Sequence, residues 1–173
     1  MDYEIFCIYV KSKTYSPGIE DFASLVRVCE EHNIVDVTVM PDWEDDLRRN
    51  FKEDMKKIKQ FTMFFKPTVN FIGFLQSCFE FHFEDKWKEA WSQANGREVA
   101  VGFTTRDFKD PEWIEHGIES NFMFLRLTFQ NIRLKSLFKE YTSLLYSKYG
   151  NFILDAEQAL NKKIAIAYLV DND

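Results

Sequence analysis

Residues 3–10 (YEIFCIYV) and 164–170 (IAIAYLV) are apolar on both faces of an extended chain, and both segments are dominated by β-branched and aromatic side chains. A strand of this kind cannot line a surface. It has to be covered on either side, so residues 3–10 are predicted as an inner strand and residues 164–170 as a central strand. A chain that begins and ends in such segments needs a sheet, together with enough other structure to cover it.

The intervening sequence supplies that cover. After a turn at Ser16-Pro17-Gly18, Ile19, Phe22, Leu25, Val26 and Cys29 recur at helical spacing, and residues 35–39 read as a short strand completing a βαβ-like opening. Trp43, Leu47, Phe51, Met55 and Ile58 form one apolar helical stripe, with Asp42 as its expected N-cap. Its charges follow the helix dipole: Glu44, Asp45 and Asp46 lie in the first turn, and Lys56, Lys57 and Lys59 in the last. Residues 61–65 fit a strand, and residues 69–78 fit either a strand or a buried helix, since periodicity alone does not separate the two. Residues 79–84 (FEFHFE) alternate strictly and predict a strand with the phenylalanines on one face and Glu80, His82 and Glu84 on the other.

Trp87, Ala90, Trp91 and Ala94 suggest a short helix closed at Asn95-Gly96 by a left-handed glycine. Residues 98–104 and 122–129 read as strands, and residues 110–113 as the capped start of a short helix. The stripe Leu134, Leu137, Phe138, Tyr141, Leu144 and Leu145 gives a helix ending at Gly150, followed by a short helix near residues 155–160. The expected fold is α+β, with mixed α/β as its variant: a sheet of about five to seven strands with helices packed on at least one face. No Ser/Pro/Gly-rich linker or repeat interrupts the 173 residues, so residues 1–173 are read as one globular domain. A chain of this size buries about 70% of its unfolded surface, enough for a core without staples. Eighteen phenylalanines and an aromatic content of 17% should fill most of that core.

Several function classes lose support. The longest apolar runs fall short of the about 20 residues a membrane span needs, and the acidic start Met1-Asp2-Tyr3-Glu4 lacks a basic secretory leader, so a cytoplasmic location is expected. Cys7, Cys29 and Cys78 are odd in number and form no CxxC spacing, which reads as reduced core thiols. The six glycines are scattered, giving neither a P-loop nor a dinucleotide fingerprint, and no cofactor is expected. Phe122, Phe124 and Arg126 could form a stacking platform for single-stranded RNA, but there is no aromatic-basic RNP pattern and the chain is acidic, which disfavours nucleic acid.

The acidity is concentrated. The net charge is −6, but residues 1–47 hold three Lys/Arg and eleven Asp/Glu, or −8, leaving +2 for the remainder. Such a field attracts basic partners. Asp42, Trp43, Glu44, Asp45 and Asp46 form the expected partner-binding edge, an aromatic anchor ringed by carboxylates. The leading expectation is an acidic protein-binding domain, a stoichiometric inhibitor or immunity-type protein that masks a basic partner; a symmetric homodimer through exposed aromatics is an additional arrangement. The alternative is a metal-dependent hydrolase built on the Glu80, His82, Glu84 row. A second version uses Pro41-Asp42 and Glu84-Asp85-Lys86, which together resemble the PD-(D/E)xK nuclease pattern. That resemblance covers five positions and implies Asp42 and Glu84 holding Mg²⁺, with Lys86 activating water or steadying the phosphate.

Overall fold

A computed structural model describes residues 2–10, 18–50, 60–96, 98–104, 122–130 and 134–172. Six strands make one sheet: β1 (Asp2–Val10), β2 (Val35–Asp36), β3 (Gln60–Pro67), β4 (Val99–Thr104), β5 (Phe122–Phe129) and β6 (Ile164–Asn172). Their order is β2-β3-β4-β5-β1-β6, every pairing is antiparallel, and the sheet curls into a half-barrel. The fold is α+β, as the sequence predicts. Residues directly opposite each other share a face, so the register separates the sheet cleanly. Phe6 against Leu127, Val101 against Leu125 and Met63 against Val101 define one face. Cys7 and Ala100, both against Arg126, and Phe64 against Ala100 define the other.

Helices cover the first face. They are α1 (Ile19–Glu31), α2 (Trp43–Asn50), α3 (Val69–Phe83), α4 (Trp87–Ala94) and α5 (Leu134–Leu160). One apolar cluster joins them to the sheet: Phe6, Ile8, Phe65, Val99, Leu125 and Leu127 from the strands meet Phe22, Leu47, Phe79, Trp91 and Phe138 from the helices. Its centre is aromatic. Phe6 stacks on Phe138 at 5.0 Å, Phe138 on Tyr168 at 6.1 Å, and Phe79 meets Trp91 edge-on at 5.1 Å. Each fully buried ring of this kind contributes about 1.5–3 kcal/mol, which is why so many phenylalanines suffice for a chain without disulfides.

Several elements depart from the sequence expectations. Residues 79–83 are the last turn of α3, not a strand. Thr68 caps that helix by accepting the Phe71 N–H at 3.0 Å, and Phe71, Phe74, Leu75, Cys78 and Phe79 then bury one helical face. That 3.6-residue stripe overrides the six-residue alternation, and Phe81 is left 76% exposed. Strand β6 is an edge strand, not a central one, pairing with β1 alone among the described residues. Its apolar character is met by packing of Ile164, Ile166 and Tyr168 against the core. The opening is not βαβ: β2 covers only two residues and pairs antiparallel with β3, at the opposite end of the sheet from β1.

The C-terminal helix does not stop at Gly150. It continues to Leu160 through a kink at Tyr149 (φ −118°, ψ 16°), because Tyr149, Phe152, Ile153, Ala156 and Leu160 carry the buried stripe onward. The left-handed residue closing α4 is Asn95 (φ 56°) and not Gly96. Gly96 is required for a different reason, since a Cβ there would collide with the Phe129 ring. The predicted continuation of α2 through Phe51, Met55 and Ile58, the helix at residues 110–113 and the Ser16-Pro17 part of the first turn lie outside the described residues. No described helix is long and apolar enough to cross a membrane.

Candidate functional site

Two regions of the described structure gather polar side chains outside the core. The first is the α1–α2 side. Residues 18–50 contain nine Asp/Glu and three Arg, a net −6. Two pairs tie the helices together, Arg48 donating to Glu20 at 2.7 Å and Arg27 pairing with Glu44, while Arg48–Glu44 at 3.1 Å and Arg49–Asp46 at 2.5 Å lie within α2. The Arg48 hydrogen bonds hold the Glu20 and Glu44 carboxyls below their ordinary range. Asp36 is lowered as well, by hydrogen bonds from the Thr38 hydroxyl and N–H at 2.6 and 3.0 Å. What remains is a surplus. Glu30, Glu31, Asp42 and Asp45 are exposed and form no ion pair among the described residues.

The expected edge is therefore split. Trp43 is 6% exposed and turns inward, with its ring edge-on to Phe65 at 6.3 Å. Glu44 and Asp46 are engaged by arginines, and Asp42 accepts the Asp46 N–H at 3.0 Å through its backbone carbonyl. Asp42 and Asp45 are the two members of the five that face solvent without an ionic partner among the described residues.

The residues of the hydrolase alternative fall elsewhere. Glu80 and His82 lie on α3, and Glu84 sits just past its end with φ 58°, followed by Lys86 in a single 3₁₀ turn. The strand row that would aim Glu80, His82 and Glu84 together does not exist. His82 instead meets Glu140 of α5 at 3.3 Å. Among the described residues no group of three or more His, Cys, Asp or Glu side chains is placed to hold a metal ion.

The second region is a recess of about 330 Å³ on the other face of the sheet, the one that carries Ala100 and Arg126. Phe64 from β3, Ala100 from β4 and Arg126 from β5 form one row across it, set by the registers Phe64–Ala100 and Ala100–Arg126. Glu98 and Thr128 lie two residues along from Ala100 and Arg126 and line the same space. Its rim is fixed by the α4–β4 corner. The Gln130 N–H donates to the Ala94 carbonyl at 2.8 Å, the left-handed Asn95 turns the chain, and Gly96 lies under Phe129, which brings Asn95 and Gln130 to the lining of the recess. Next to Arg126 in the register is Cys7, whose thiol is pushed up to about 12 by burial, with the Arg126 charge acting in the opposite sense.

Of the recess residues, the sequence pointed only to Arg126, and then in a different context. Glu98, Asn95, Thr128 and Gln130 carry no local signal, because they converge only once three strands are in register. No protein-family model, curated protein or solved structure matches the chain.

Proposed function

We propose that this chain is a cytoplasmic protein-binding domain that masks a basic protein, in the manner of a stoichiometric inhibitor or immunity-type protein. The observation that carries this reading is the carboxylate surplus on the α1–α2 side. After the three arginines have made their pairs, Glu30, Glu31, Asp42 and Asp45 still face solvent, unpaired among the described residues. An uncompensated patch of one sign steers a partner of the opposite sign and raises its association rate. The arginine clamps between α1 and α2 hold the patch in a fixed shape, so little ordering cost falls on association. Masking then works by occlusion: the acidic surface occupies the basic site on the partner.

Two exposed positions test this directly. The tagged chain and its Asp42→Lys/Asp45→Lys variant are used to capture proteins from the source lysate at low and moderate salt, and the bound species are identified by mass and stoichiometry. A basic protein held one-to-one by the wild type, released by salt and lost from the variant, is the expected result. Equal capture by both forms would remove the acidic surface from the account.

A further inference from the structure

We propose that the outer edge of β6 pairs antiparallel with β6 of a second copy of this chain, about a two-fold axis at Ala167, and so joins two sheets into one. The two edges of the sheet differ in kind. At one end β2 is two residues long, too short to template another strand. At the other, β6 runs for nine residues, pairs with β1 alone among the described residues, and carries neither proline nor charge from Ile164 to Val170. A long apolar edge of this kind is a template for a further strand. Its backbone is aimed accordingly. The Ile164 N–H donates to the Glu157 carboxylate at 3.1 Å, which turns it away from β1, and by the alternation of an antiparallel strand the peptide groups of Ile166, Tyr168 and Val170 turn away as well.

The charges at the ends of the strand select the occupant. Lys162 and Lys163 precede it and Asp171 lies near its close, so the segment is basic at one end and acidic at the other. Antiparallel self-pairing centred on Ala167 puts Lys163 opposite Asp171 of the second copy, and the symmetry makes that pair twice. Between them Ile166 falls opposite Tyr168, two residues that pack against the core from the same face and are only partly buried in the single chain. Helix α5 adds surface beside the edge. Thr142 bonds the Tyr168 hydroxyl at 2.9 Å, and one turn later Tyr146 is 46% exposed; one turn before Glu157, Leu154 is 62% exposed. A ladder alone buries little apolar area, and these two side chains supply more. Two-fold pairing occupies both β6 edges and closes, giving a dimer and not a fibre. This inference rests on the β6 edge and is independent of the acidic α1–α2 side.

The test is sedimentation equilibrium of the full chain over a range of concentrations at low salt, comparing wild type, Lys163→Asp, Asp171→Lys and the double variant that exchanges the two charges, with circular dichroism to check that each is folded. The wild type should move between the 20.6 kDa chain and twice that mass. Each single reversal sets like charges against each other at both pairs and should weaken the dimer about ten-fold, and the double exchange should restore it. Lys163 is exposed and precedes the strand, so its variant is decisive even if Asp171→Lys unfolds. A wild type that stays monomeric at high micromolar concentration would overturn the proposal and leave the edge to a strand of another protein. Equal dimerisation by wild type and Lys163→Asp, or a folded double variant that dimerises no better than the single reversals, would overturn it as well.

Discussion

The two faces of the one sheet are built on opposite principles. On the helix-covered face, Phe6, Phe65, Val99, Val101, Leu127 and Phe129 are all at or below 1% exposure and belong to a single core. On the other face Phe64 is half exposed and lines a recess with Arg126 and Thr128, while Cys7, Tyr9 and Ala100 are buried outside that core. Alternate residues of β3, β4 and β5 thus serve different ends: one set holds the fold, and the other leaves a recess. The period of two in a strand makes this division possible, because a side chain on one face can change without disturbing its neighbour on the other.

The largest effect should come from pairing one residue of each face. Phe129→Ala removes a fully buried ring packed against Phe79 and Phe138 and should cost about 3–5 kcal/mol in urea unfolding. Phe64→Ala should cost about 1 kcal/mol or less. Comparable losses at the two positions would break the comparison. Gly96→Ala sharpens it at the corner where the faces meet. Its added methyl runs into Phe129, so a loss of about 1–3 kcal/mol is expected, and a smaller loss would mean that the ring can move aside.

The smallest effect concerns the thiols, one from the Arg126 face of the sheet and two from the helices. Burial pushes Cys7 up to about 12 and Cys78 up to about 11 from an ordinary value near 9, and raises Cys29 as well. Below pH 9 the thiols are neutral in both folded and unfolded chains and cost nothing. Above pH 9 the unfolded chain ionises first, so stability should decline as pH rises toward 11–12. At pH 8 a disulfide reagent should label none of the three until denaturant is added; rapid labelling of Cys7 would show that β1 opens more readily than its burial implies.

The covered face was largely legible in the sequence. The stripes Phe22-Leu25-Val26-Cys29 and Leu137-Phe138-Tyr141-Leu145 specify helices by their period alone, and Phe122–Phe129 reads as a strand from its β-forming residues. What failed was local pattern against longer context. FEFHFE alternates as a strand would, but it is the continuation of a capped helix that begins ten residues earlier. Gly150 reads as a stop, yet the buried stripe runs past it. The edge position of β6 was invisible because strand order is set by pairing between distant segments, and an apolar strand looks the same at the edge as in the centre. For the same reason the acidic α1–α2 side, contiguous in sequence, was readable, whereas the recess was not. Trp43 lies between the two cases: its neighbours are acids, but its place in the apolar stripe with Leu47 decided its burial.

In the proposed function Asp42 and Asp45, which have no ionic partner among the described residues, steer a basic protein onto the α1–α2 side. The most direct measurement is the association rate of the captured partner with wild type and with Asp42→Lys/Asp45→Lys, each followed across a range of salt concentrations. The account predicts a wild-type rate that falls steeply with salt and a variant rate that is about ten-fold lower at low salt and nearly flat. Superimposable salt dependences for the two proteins would contradict it.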